Sequence, residues 1–154
     1  MSSEKRKIAY IDGKPYEIGA NHTSILKFVK SYVGEKKVPS LCDDPNLAPY
    51  GACRVCSVEV ALEKDGPTRM VASCHTPVAE NQHIFTSNEA ITNLRKNIVE
   101  LVLTDHPMEC DSCEVNNNCE LQTVANDLGV SDHRYNSPKQ HKGIPRDTSH
   151  DYMR

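Results

Sequence analysis

The sequence contains no tryptophan, and aromatic residues make up only 5% of it. Hydrophobic residues of all kinds reach 38% of 154 positions. A core drawn from so few large side chains is thin for this length. Small domains of that kind need a staple of disulfides or metal. No apolar run approaches the ~18 residues of a membrane span, so an integral membrane protein is not expected. Ser2 to Lys7 is polar and basic, and no apolar run of leader length follows, so no export signal is expected either. The net charge of −3 comes with no basic patch and no recognition helix, which argues against nucleic acid as a partner. There is no Gly-x-Gly-x-x-Gly and no phosphate loop, so the chain itself is expected to bind no nicotinamide and no flavin. Internal repeats are absent.

Cysteine is what the sequence does have. There are seven, an odd number that a pure disulfide framework would leave with one thiol over. A chain that is not exported keeps its thiols reduced, which favours metal and predicts a cytoplasmic location. The seven fall into two groups with one histidine. Cys42-x10-Cys53-x2-Cys56-x17-Cys74 is the first, and His106-x3-Cys110-x2-Cys113-x5-Cys119 is the second. Each supplies four ligands, and no cysteine remains as a free nucleophile.

Thiolates are soft ligands that select zinc, Cu(I) or iron–sulfur cores. The first group has one C-x2-C knuckle and two isolated cysteines, whereas zinc ribbons pair two knuckles. A 2Fe–2S core, a four-cysteine zinc site and plain buried thiols are its three readings. Gly51-Ala52 before Cys53 suits a negative cluster, because small residues let backbone N–H groups approach the sulfurs. The second group fits a structural zinc site or a 4Fe–4S cluster with one imidazole. His75 adjoins Cys74 but is expected to point away from it. His22, His83, His133, His141 and His150 are expected to be solvated.

Coarse elements frame these groups. Lys7–Asp12 and Tyr16–Ile18 read as the arms of a hairpin turned at Asp12-Gly13. Thr23 is the expected cap of a helix over Ser24–Val33, with Ile25, Phe28, Val29 and Tyr32 on one face and Gly34 as its stop. Ser57–Leu62, Thr68–Ala72 and His83–Thr86 read as strands. Asn88 is expected to cap a helix over Glu89–Thr104, with Ile91, Leu94, Ile98, Leu101 and Val102 at helical spacing. Glu120–Leu128 is a second short helix, stopped by Gly129. The order predicts an α+β chain. Residues 5–86 would form a ferredoxin-like β-grasp, 87–130 a small helical domain and 131–154 an extended tail. That tail carries too little apolar surface to fold alone and is expected to lie along a partner, disordered in the isolated chain.

Three segments carry a family resemblance. Pro49-Tyr-Gly-Ala-Cys-Arg-Val-Cys-Ser-Val-Glu59, Ala72-Ser-Cys-His-Thr-Pro-Val78 and Asp105-His-Pro-Met-Glu-Cys-Asp-Ser-Cys-Glu114 with Asn118-Cys-Glu-Leu-Gln122 resemble the N-terminal iron–sulfur region of the complex I 75-kDa subunit family. Similar regions occur in NAD-linked formate dehydrogenases, in NAD-reducing or electron-bifurcating hydrogenases and in related flavin-based bifurcating enzymes. The resemblance spans about residues 7–154. It implies one 2Fe–2S cluster on Cys42, Cys53, Cys56 and Cys74, and one 4Fe–4S cluster on His106, Cys110, Cys113 and Cys119. It further implies a non-catalytic electron-transfer subunit within a hetero-oligomer. Its partners would be an FMN- and NAD(H)-binding flavoprotein subunit and a further redox subunit. A zinc-stabilised interaction module without redox activity is the rival. Relatives that continue past this point carry further 4Fe–4S clusters, so the sequence reads as a piece of a larger subunit or as a natural short one.

Overall fold

In the computed structural model, residues 6–135 are described. Expectations that fall on residue 5 and on residues 136–154, which include His141 and His150, lie outside them. The first hairpin pairs β1 (Ile8–Ile11) with β2 (Lys14–Glu17). Its turn residues Asp12 and Gly13 both have positive φ, 48° and 82°. A tight I′ hairpin demands this of both central positions, and Asp-Gly supplies it cheaply. A helix, α1 (Ile25–Val33), follows. A second hairpin, β3 (Ser57–Ala61) and β4 (Arg69–Ala72), comes after the long cysteine-bearing loop. The closing strand β5 (His83–Phe85) runs parallel to β1 and antiparallel to β3. The five-stranded sheet has the order β2-β1-β5-β3-β4, the mixed arrangement expected of a β-grasp.

Two apolar cores result. The first joins Ala9, Ile11, Val58, Val60 and Ile84 of the sheet to Ile25, Leu26, Phe28 and Val29 of α1, and it contains Cys56 and Cys74. Burying a large aliphatic side chain is worth about 1.5–3 kcal/mol relative to leaving it exposed, so a few such residues fix where α1 sits. The second core lies among α2 (Glu89–Thr104), α3 (Glu120–Leu128) and the cysteine loop. It unites Val99, Leu103, Val124, Ala125 and Val130 with Val55, and Leu41 and Cys53 pack against it. A single 3-10 turn, Cys110–Ser112, separates the two helices. Among the described residues no helix is long and apolar enough to cross a membrane.

The structure shifts several expectations by a residue or a face. Ser24, not Thr23, caps α1. Its hydroxyl accepts from the Lys27 N–H at 3.3 Å, and the helix starts at Ile25. Leu26 joins the buried face, while Tyr32 is half exposed and its hydroxyl donates to the Glu17 carbonyl at 2.7 Å. On α2 the buried stripe is Ile91, Arg95, Val99 and Leu103. Leu101 and Val102 are exposed, and with Leu94, Ile98, Met70 and Arg54 they line an open apolar groove that reaches Cys53. His22 and His83 are not simply solvated. His22 packs edge-on to Phe28 at 5.2 Å, and His83 stacks flat on Tyr10 at 4.4 Å. Near the end of the described chain, Arg134 binds Glu100 at 2.6 Å and also Asn97, both on α2.

Asp12 closes the sheet at its turn. It accepts from the Thr86 N–H at 2.8 Å and the Thr86 hydroxyl at 2.6 Å, and Lys37 Nζ lies 3.4 Å away. Burial pushes the Asp12 pKa up, but the Thr86 bonds and the Lys37 charge outweigh this and hold it below its usual 3.8. A carboxylate depressed on folding stabilises above its unfolded pKa and loses that contribution as pH falls through the folded one. Replacing Asp12 by Ala should therefore cost ~1.5–3 kcal/mol at neutral pH, the range for hydrogen bonds to a charged group. Denaturant titrations should show that gap narrowing once the pH drops below 3.8.

Candidate metal centres

The long loop after α1 brings the first three cysteines to the end of β4, where the fourth waits. Cys42 Sγ accepts from the Cys53 N–H at 3.5 Å, and the Ala52 amide also faces it. The amides of Val55, Leu41 and Cys42 face Cys53. Positive φ values at Gly51 (70°) and Arg54 (63°) turn this backbone inward, and successive N–H groups so turned form a concave nest for negative charge. Two thiols respond in opposite directions. Burial pushes Cys42 up, and its amides only partly oppose that. Burial also pushes on Cys53, but its amide donors win and the thiol falls below the usual value. Cys74 is pushed up to about 12 by burial first, then by the negative charges of Cys56, Cys42 and Asp43. All four thiols of the first group are thus electrostatic neighbours. Cys56 and Cys74 are buried, and Cys42 and Cys53 are partly exposed.

Two residues that the sequence reading passed over hold this geometry. Ser73 is fully buried, and its hydroxyl donates to the Cys56 carbonyl at 2.6 Å, tying the Cys74 turn to the C-x2-C knuckle. Arg54 is a non-glycine residue in the left-handed region, which composition and spacing do not reveal. His75 stands in a turn after β4, beside Cys74. Its Nδ1 bonds the Pro49 carbonyl at 3.2 Å, so it fastens the cysteine loop. Gly51 has a packing reason beyond the one read from sequence. A Cβ there would meet Ala72 Cβ at 3.3 Å and His75 Cβ at 3.5 Å.

The second group is built by one helix end, one turn and one helix start. The His106 N–H bonds the Leu103 carbonyl at 3.1 Å, just past α2, and Pro107 forces the chain away. Cys110 opens the 3-10 turn, and the Cys113 N–H returns to its carbonyl at 3.1 Å. Cys119 occupies the N-cap position of α3, where no side chain satisfies the free amides. Such a helix start favours negative charge. His106, Cys110, Cys113 and Cys119 all line one cavity of about 60 Å³, together with Val115, Asn116 and Gln122. Gln122 shapes that cavity, a role not evident from the spacing. Its Oε1 accepts from the Asn117 N–H and its Nε2 donates to Asn116 Oδ1, both at 2.9 Å, and Asn117 has φ 64°. Among the described residues no three His, Cys, Asp or Glu side chains close around one point as a single ion requires, so both sets rest on chain placement.

These donor sets fit iron–sulfur groups. They offer soft thiolates, inward amides for the first group and an open helix start for the second. The backbone argument is directly testable. Gly51→Ala places a side chain at φ 70° with a tight contact, and the left-handed region costs an L-residue about 1–2 kcal/mol. It should destabilise the protein by at least that much in denaturant titrations. Arg54→Gly relaxes the same kind of conformation, so it should change stability by less than ~1 kcal/mol.

Comparison with known proteins follows the same division of the chain. Residues 7–89 match the family described as the 2Fe-2S iron-sulfur cluster binding domain, and residues 95–134 match the NADH-ubiquinone oxidoreductase-G iron-sulfur binding region. The alpha subunit of an NADPH-Fe(3+) oxidoreductase from Geobacter sulfurreducens is 34% identical over 137 residues, which is 89% of this chain and 15% of that protein. A subunit of the NADH-quinone oxidoreductase from Escherichia coli K12 is 35% identical over 133 residues, 85% of this chain and 14% of that one. The chain thus spans about a seventh of the length of these curated relatives. A crystal structure of an NAD+-reducing [NiFe]-hydrogenase in the H2-reduced state shares the fold with a TM-score of 0.72 at 24% identity, covering 91% of this chain and 54% of that one. This chain therefore belongs to the 2Fe-2S iron–sulfur cluster binding domain family, and past that domain it matches the NADH-ubiquinone oxidoreductase-G iron–sulfur binding region.

Proposed function

We propose that the chain relays single electrons inside a multi-subunit, flavin-containing oxidoreductase linked to NAD(H) or NADP(H). Cys42, Cys53, Cys56 and Cys74 would hold a 2Fe–2S cluster, and His106, Cys110, Cys113 and Cys119 a 4Fe–4S cluster. Such clusters, when bound, take up and give back one electron at a time. The observation that carries this reading is the joining of two four-ligand groups through one core. Cys53 packs against Val55, Val99 and Leu103, and the His106 amide is bonded to that same Leu103. The protein's own task is then to hold two ligand sets at a fixed separation, offer amides to the sulfurs and keep water from Cys56 and Cys74.

The relatives named above act on NADPH or NADH by their names, which supports a nicotinamide-linked host. We place the nicotinamide and its flavin on a neighbouring FMN- and NAD(H)-binding subunit, with a further redox subunit as the other partner. An electron-bifurcating transhydrogenase or hydrogenase, a formate dehydrogenase or a complex I-like enzyme would all use such a relay. A cytoplasmic location suits two sets of reduced thiols. His106 is the ligand that distinguishes the second cluster, because imidazole is neutral where thiolate is negative.

Two experiments test the assignment. Anaerobically purified protein should be brown and hold about six irons with matching acid-labile sulfide, the sum of one 2Fe–2S and one 4Fe–4S core. Stoichiometric zinc without sulfide would sink the reading in favour of an interaction module. His106→Cys should keep a 4Fe–4S cluster but lower its midpoint potential, as a negative ligand replaces a neutral one. An unchanged midpoint would remove His106 from the ligand set.

A further inference from the structure

The buried stripe of α2 contains three aliphatic residues and one cation: Ile91, Val99, Leu103 and Arg95. A charge in such a position is costly unless opposite charge or complete hydrogen bonding compensates. Hydrogen bonding does not complete the compensation here. Arg95 is only 5% exposed, and its Nη2 donates to the Ser57 carbonyl at 2.8 Å. Its Nε is buried with no acceptor. Burial pulls the Arg95 pKa down to about 10, and the Cys56 sulfur opposes that fall. The guanidinium therefore stays charged at neutral pH. The negative charge that acts on it is that of a deprotonated Cys56 sulfur, the state a metal ligand takes. Ser57, which it grips, is the residue directly after Cys56.

We propose that Arg95 is a fixed, buried countercharge to the four-thiolate group around Cys56, stabilising the more negative reduced state of that group and so raising its midpoint potential. The proposal rests on the assignment of Cys42, Cys53, Cys56 and Cys74 to a 2Fe–2S cluster. A cluster held there would take one electron from the flavin of the neighbouring subunit and so gain one negative charge, and Arg95 would neither gain nor lose a proton. The attraction of a buried guanidinium for a charge added at the residue next to the one it grips is strong enough to shift the redox equilibrium about ten-fold or more. For a one-electron couple, ten-fold is ~59 mV. Arg95 is thus a positioning and tuning residue. It grips the residue directly after a ligand and acts on the cluster through charge.

The test is an anaerobic redox titration of the full chain with dithionite and mediators, followed by electron paramagnetic resonance. Wild type is compared with Arg95→Gln, Arg95→Met and Arg95→Lys. The neutral variants should lower the 2Fe–2S midpoint about ten-fold in equilibrium terms, ~59 mV, or more. The Lys variant should stay near wild type, and the 4Fe–4S midpoint should not move in any of them. An unchanged 2Fe–2S midpoint in the neutral variants overturns the proposal. So does an equal fall in both clusters, or a full fall in the Lys variant, since each reports loosened packing and not lost charge. If neither neutral variant retains the 2Fe–2S signal, retention by Arg95→Lys supports the charge requirement, and loss in all three overturns it. A wild-type chain with no 2Fe–2S signal fails the underlying assignment, and that is visible before any variant is made.

Discussion

The rest of the structure hangs on the short knuckle from Cys53 to Cys56. Arg54 sits in the left-handed region between Cys53 and Val55, both of which belong to the helical core, and the chain then crosses to the sheet core. Val55 enters the helical core with Val99 and Leu103, and Cys56 enters the sheet core with Val58 and Ile84. A thin hydrophobic complement is thereby divided into two small cores that meet at adjacent residues. Neither core is large, but each fixes one side of the same knuckle. A single well-packed core could place Cys56 and Cys74, but it would leave Cys53 and the helical half without a common reference.

The charges around the first group follow from that placement. Burial first, and then the negative charges beside it, push the Cys74 thiol toward its neutral form. The inward amides of the nest work against this at Cys53. Ligand binding must then drive protons off, which couples occupancy of the site to its final folded geometry. The second group is held differently. It relies on the free amides at the start of α3 and on a loop braced by Gln122.

Much of this was legible in the sequence because it depends on local rules. Asp12-Gly13 reads as a tight turn, Asn88 as a cap and Gly129 as a stop, since each works through its own backbone. Both ligand groups stand out by spacing alone, since thiols at short intervals along the chain are themselves a metal-binding pattern. What failed to show depends on partners far away in the chain. Counting apolar residues along α2 selects Ile91, Leu94, Ile98, Leu101 and Val102; Ile91 is buried and Ile98 packs on the second core, but periodicity cannot see that a cation occupies the buried line. Adjacent hydroxyls at Thr23 and Ser24 are equal as caps until the packing of Ile25 and Leu26 chooses the second. Ser73, Arg54 and the stacking of His83 on Tyr10 have no pattern to betray them.

The burial of the first group is also lopsided, and that gives it a direction. Cys56 and Cys74 are sealed behind the sheet, while Cys42 and Cys53 look outward and the apolar groove of α2 ends at Cys53. Tunnelling falls so steeply with distance that only the outward edge offers a useful approach to a donor or acceptor on another molecule. With a cluster bound, the sealed edge would act as an insulated wall, and the group would exchange charge through one window. Its traffic with the outside would then be set by what can reach Cys42 and Cys53, whatever the chemistry of that neighbour.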